Sequence, residues 1–318
     1  MTQSQAAPDT LYEATGRDDI VLPFQIDPFG VRGRLIRLGT VAETVIGRHG
    51  YPDAVGAMLG ETMALAACLA GSLKYEGVFT LQTTSDGPIK TLMADITSGG
   101  AIRAYANFKA DAVADLTPAD VTARSVPRLM GGGYIAFTVD QGDDTDRYQG
   151  IVELEGHTLS ECTHAYFRNS EQLDAGILLA CQKGKDGWRA GALMLQRLPY
   201  QRDLPGNPTE EDYDDGWHTA MTLLSSGTAV ELLDQDLSPD RLLYRLFHGE
   251  GVRAYPAQAV SATCRCSSGR VERVLKSLSD AELQDLKQDD PDVSVTCEFC
   301  KTVYRYDEDQ LAELRAAD

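Results

Sequence analysis

The stretch SATCRCSS, residues 261–268, sets two thiols one residue apart, Cys264 and Cys266, and thirty residues later TCEFCKT, residues 296–302, sets two more, Cys297 and Cys300. In an extended segment, residues i and i+2 leave from the same face, so both sulfurs of C-x-C can reach one ion. A C-x-x-C on a β-knuckle does the same, with backbone amides polarising the thiolates. Four sulfurs on two paired segments meet the requirement of a closed tetrahedral zinc site, and their softness selects zinc or iron–sulfur over magnesium or calcium. Four unrelated cysteines buried as small apolar side chains is the alternative, and the paired spacing opposes it.

Around the cysteines the chain reads as a miniature domain, residues 259–318. It holds a short helix, then SLSDAELQDLK with a Ser279/Glu282 capping box. VSVTCEFCKTVYRY reads as strand, knuckle, strand, and the acidic helix DEDQLAELR follows. So short a section buries little core, so its folding is expected to depend on the ion. Thiolates are the oxidisable form of cysteine, and joining them as disulfides would eject the ion. Folding and thiol oxidation state are thereby tied, although a permanent structural zinc clip remains open.

Upstream, residues 1–200 read as an α+β core. VRGRLIRL (31–38) alternates as a half-buried strand does. AVGAMLGETMALAACLA (54–70) is short for a membrane span and contains Glu61, Gly56 and Gly60, so it reads as a buried helix. VFTLQTT, IKTLMADI and AIRAYANF are joined by the turn signals SDGP and TSGG and read as antiparallel strands. YIAFTVD and RYQGIVELEG continue the pattern, TLSECTHAYFRNS (158–170) reads as a helix, and GILLACQKG and GALMLQRL read as further strands. The order is not βαβ, which favours α+β over a doubly wound sheet. The first twenty or so residues, polar and acidic with no apolar core, are expected to be disordered and carry no secretory signal.

Residues 201–258 read as a linker, acidic and then helical. RDLPGNPTEEDYDDG (202–216) is rich in Pro, Gly and acids. The helical part has Ser238 as N-cap, Pro239 at the first helical position and Gly249 as stop. These helices are too short to stand alone, so Leu223, Leu224, Leu232, Leu233, Leu243, Leu246 and Phe247 must pack on something.

The formal charge is −19, from 29 Lys and Arg against 48 Asp and Glu. That opposes nucleic-acid binding, as do eight basic against thirteen acidic residues within 259–318. The chain is expected to be cytosolic, off the membrane, in a compartment where thiols stay reduced. No enzyme is expected. A zinc hydrolase needs an open coordination position, and four cysteines close it. Cys162 and His164, at i and i+2, would not face each other on a helix. MGGGY (130–134) lacks the phosphate-loop frame and reads as a turn. Cys68, Cys162 and Cys181 are expected in the core.

The C-x-C, long spacer, C-x-x-C pattern resembles the 33 kDa chaperonin family of redox-regulated holdases. So do VRGRLIRL, YPDAVGAMLGE, SDGPIKTLMADI, RYQGIVELEG, YFRNSEQL and LLYRLFHGEGVRAY, in family order from about Pro23 onward. The resemblance implies an α+β core, a helical linker and a zinc domain with Cys264, Cys266, Cys297 and Cys300 as ligands to one Zn(II) per chain in the reduced, inactive state. It implies oxidation to two disulfides, Cys264 with Cys266 and Cys297 with Cys300, with loss of zinc and unfolding of zinc domain and linker. The active form is implied to be a homodimer that holds unfolding proteins without ATP. The apolar linker residues named above would then be the candidates for gripping clients.

Overall fold

The structure is a computed structural model that describes residues 18–27, 30–117, 119–120, 124–142, 147–168, 174–200, 209–287 and 292–316. The expected N-terminal disorder, the start of the linker and the end of YFRNSEQL lie outside these residues. The chain divides into two compact units, one ending at Ala262 and one beginning at Thr263.

The first unit is built from two six-stranded sheets. In one, β1 (Ile20–Ile26), β2 (Val31–Leu38), β8 (Ala175–Gly184), β9 (Gly187–Arg197) and β10 (Val252–Ala254) run in the order β10-β1-β2-β9-β8, and β11 (Gln258–Ala259) also pairs with β1. In the other, β3 (Val78–Ser85), β4 (Ile89–Thr97), β5 (Ala101–Phe108), β6 (Gly133–Asp140), β7 (Tyr148–Glu153) and β12 (Ser261–Ala262) run in the order β12-β5-β4-β3-β6-β7. All pairings are antiparallel except β12 with β5. Residues 258–262 thus belong to the first unit, because they add short strands to both sheets.

Helix α1 (Asp53–Ala70) lies between the sheets and touches strands of both. It is long and apolar enough to cross a membrane, yet it is almost wholly buried in the fold, as a core helix. Gly60 makes its close approach possible, since a Cβ there would sit 2.2 Å from Cys181 Sγ on β8. Helix α2 (Leu159–Tyr166), capped by Thr158 accepting from Glu161 N, packs against the same core, and the end of the 158–170 reading lies outside the described residues. The MGGGY segment is a turn, with Gly131 at φ 71° and Gly132 N donating to Asp86 in the β3–β4 turn.

The outer face of the first sheet is covered by three helices: α3 (Glu210–Ser226), α4 (Ala229–Leu233) and α5 (Pro239–Phe247). Two expectations need correction here. Residues 210–216 are not irregular linker but the first turns of α3. Thr209 and Asp212 form a reciprocal capping box, and the acids sit at the helix N-terminus, where the dipole favours them. Second, α5 stops through a tight turn, His248–Glu250, and Gly251 at φ 72°. Gly251, not Gly249, therefore supplies the left-handed terminator. Of the apolar linker residues, Leu224, Leu232, Leu233, Leu243, Leu246 and Phe247 are buried against the sheet, and Leu223 is partly buried beside them. Phe247 stacks on Phe24 of β1, ring centroids 5.8 Å apart.

With α1 on one side and these helices on the other, β2 is buried on both faces and is not the half-exposed strand its alternation suggests. Its arginines therefore enter the interior. The Arg37 guanidinium, 1% exposed, donates to Glu231 O at 3.0 Å, to Asp234 O at 2.8 Å and to Leu237 O. Arg189 on β9 donates to Leu233 O at 2.9 Å. Two sheet arginines, one buried and one partly buried, thus satisfy the orphan carbonyls at the end of α4 and just beyond it.

The second unit holds α6 (Ser268–Ser277), α7 (Asp280–Lys287), the hairpin β13 (Val293–Thr296) with β14 (Val303–Tyr306), and α8 (Glu308–Ala316). Ser279 and Glu282 form the expected capping box on α7. The buried core is small: Leu275, Leu283, Val293, Tyr306 and Leu311. The architecture is α+β, with four cysteines clustered near the C-terminus.

Candidate metal centre

Cys264 and Cys266 lie on the extended segment between β12 and α6, and Cys297 and Cys300 on the turn between β13 and β14. The turn closes because Cys297 N donates to Thr302 O and Lys301 N donates to Cys297 O, each at 2.9 Å, with Lys301 left-handed at φ 58°. All four sulfurs lie within 4.8 Å of one another and are half-buried. Cys264 Sγ is 3.7 Å from Cys297 Sγ, and Cys266 Sγ is 3.4 Å from Cys300 Sγ.

These spacings fit a metal. Four sulfurs at about 2.3 Å from a tetrahedral zinc stand about 3.8 Å apart. The donor set fits as well, because four thiols so close cannot all ionise unless a cation shares the site. The thiols accordingly differ. Burial raises Cys300, but hydrogen bonds with Thr302, whose hydroxyl is 3.2 Å away, and with the Cys266 and Cys264 sulfurs outweigh it and bring the thiol down to about 6. Burial pushes Cys266 up to about 12, although the Tyr304 hydroxyl donates to its sulfur at 3.1 Å. Cys297 is also raised, chiefly by burial. The arrangement can hold one soft metal ion in a closed site, with Thr302 and Tyr304 supporting the sulfurs from the hairpin. Neither residue carries a motif of its own, and their one sequence signal is that Tyr304 follows Thr302 at strand spacing and so leaves the same face.

The other three cysteines are apart from this cluster. Cys68, Cys162 and Cys181 are buried in the first unit, and burial raises their thiols, Cys68 to about 12 and Cys162 to about 11. Among the described residues, no hydrogen bond joins Cys162 to His157 or His164.

Comparison with known proteins gives one consistent result. The family model described as "Hsp33 protein" matches residues 19–307. The 33 kDa chaperonin of Caulobacter vibrioides is 37% identical over 294 residues, covering 91% of this chain and 95% of that protein. The 33 kDa chaperonin of Ectopseudomonas mendocina is 37% identical over 302 residues, covering 94% and 96%. The crystal structure of the 33 kDa chaperonin from Thermotoga maritima aligns with a TM-score of 0.77 at 23% identity, covering 94% of this chain and 98% of that one, and so shares the fold.

Proposed function

The chain belongs to the Hsp33 family of heat-shock chaperones, and from that premise we propose that it is a cytosolic, ATP-independent holdase switched on by oxidation of Cys264, Cys266, Cys297 and Cys300. The observation that carries the reading is the convergence of these four sulfurs within 4.8 Å in a unit with only a small core of its own. Zinc(II), one per chain, would supply the positive charge that keeps the four thiols ionised and their two segments together.

Two electrons leave the thiolates of Cys264 and Cys266 as one disulfide forms, and two more leave Cys297 and Cys300. The four electrons reduce two equivalents of an oxidant such as hypochlorite, each giving chloride and hydroxide. All four ligands are then lost and the site cannot keep its ion. The second unit, left with a small core, unfolds. Helices α3 to α5 follow, and Leu223, Leu224, Leu232, Leu233, Leu243, Leu246 and Phe247 become free to cover apolar surface on an unfolding client. Each Å² buried there contributes about 25 cal/mol. The active species is a homodimer, and the net charge of −19 keeps the loaded complex in solution.

The test is light scattering of a heat-unfolding client with the reduced, zinc-loaded protein and with the same protein after hypochlorite, while a chromophoric chelator follows released zinc. Suppression only after oxidation, in step with about one zinc per chain, supports the reading. Zinc that stays bound, or leaves without any holdase activity, makes the cysteines a structural clip and sinks it.

A further inference from the structure

The first unit encloses a cavity of about 170 Å³ that the redox switch does not use. It lies where the end of α1 and the end of α2 meet β2, β9 and the second sheet. Its walls are the buried side chains of Leu69, Phe79, Phe137, Val139, Tyr166 and Phe167. The exposed Leu73 and Tyr148 stand at its rim, which leaves a way in.

The charged group in this apolar space is Arg32 of β2. Gln196 of β9, 3% exposed, accepts from its Nε at 2.7 Å and fixes the plane of the guanidinium. Among the described residues, no carboxylate lines the cavity and none pairs with Arg32. Arg34, two residues along on the same face of β2, is 8% exposed, and its Nε and Nη1 have no hydrogen-bond partner among the described residues. Buried cations without counter-charge are costly. A half-buried guanidinium at a ring-lined cavity, with the buried Arg34 beside it on the same strand face, forms an environment that favours an anion carrying an apolar body.

We propose that this cavity binds a small amphipathic carboxylate, with its head group on the Arg32 guanidinium and its apolar body among the Phe79, Phe137 and Phe167 rings. The space is close to the roughly 150 Å³ that takes benzene in an engineered protein cavity. A short acyl chain or one aromatic ring therefore fits, and a long fatty chain does not.

The experiment titrates the reduced, full-length protein with hexanoate, hexanol and acetate by calorimetry. Hexanoate is expected to bind at least tenfold more tightly than hexanol, which lacks the charge, and than acetate, which lacks the chain. Arg32→Met is expected to weaken hexanoate about tenfold to a hundredfold, as loss of hydrogen bonds to a charged group does. Leu73→Trp, which narrows the mouth and leaves Arg32 in place, is expected to weaken it as well. Hexanol as tight as hexanoate, no saturable binding, or a folded Arg32→Met that binds unchanged would each overturn the proposal. Should Arg32→Met not fold, unchanged affinity in Leu73→Trp overturns it.

Discussion

Arg37→Met isolates the contact that keeps the linker helices on the core. Arg37 donates to three carbonyls, those of Glu231, Asp234 and Leu237. Hydrogen bonds from a charged donor contribute about 1.5–3 kcal/mol each, so three amount to about 6 kcal/mol. Against this stands burial of the cation, which pushes the Arg37 pKa down from 12.5 to about 10. At about 1.4 kcal/mol per pKa unit, that costs roughly 3 kcal/mol. The balance is about 3 kcal/mol in favour of docking. Methionine keeps much of the aliphatic stem and removes every donor. Amides of α4 and α5 in the reduced protein should then exchange about a hundredfold faster, since each 1.4 kcal/mol is a factor of ten. Hydrogen exchange with mass spectrometry reads this directly, and client light scattering on the same reduced sample reads activity. Under the proposed function the variant suppresses aggregation without oxidant. Unchanged exchange across 229–247 would refute the clamp. Faster exchange with no activity would refute the idea that an undocked linker is what grips clients.

Three further outcomes are expected. Cys266→Ser, or the same change at any of the other three ligands, should lower zinc content measured by mass spectrometry and speed exchange throughout 263–316; full affinity with a rigid second unit would show the ligand set to be wrong. Chelation of zinc from the reduced protein should erase protection in that unit while the two sheets of the first keep theirs, because only the second has so small a core. Peptide mapping after oxidation should find Cys264 joined to Cys266 and Cys297 to Cys300; the two sulfur–sulfur hydrogen-bond contacts run across, 264 to 297 at 3.7 Å and 266 to 300 at 3.4 Å, so crossed bridges are the result that would displace this pairing.

The cysteine cluster was legible in sequence because its geometry is local. Two residues at i and i+2, and two across a turn, need only one further contact to converge. The strands of the second sheet were legible for the same reason, since β3, β4 and β5 follow one another through turn residues. What escaped depends on distant partners. β1 pairs with β10 and β11, more than two hundred residues away, and neither short strand carries a periodic signal. Arg32 and Arg34 lie on one face of VRGRLIRL and Arg37 on the other, and in the sequence all three read as polar positions of a half-exposed strand. Only the presence of a layer on each side of β2 buries Arg34 and Arg37 and half-buries Arg32. The acids at 210–212 read as linker because net charge is a global cue, whereas helix capping by Thr209 is a matter of one hydrogen bond.

The route from sulfur oxidation to the linker helices can be argued from connectivity. The chain leaves α5, forms β10, β11 and β12, and reaches Cys264 two residues beyond Ala262. β11 and β12 are two residues each, with Val260 N donating to Asp19 O and Ser261 N to Gly100 O. Each such bond contributes only about 1 kcal/mol net, so these strands depend on their neighbours for order. Loss of order at 263 and beyond should therefore reach 258–262 first and α5 next, with α3 last among the linker helices. Exchange followed over time after hypochlorite should show that sequence. Simultaneous loss across 210–262 would mean that the linker and the strands after it open as one cooperative unit, and α3 opening before 258–262 would mean that the signal does not travel along the chain.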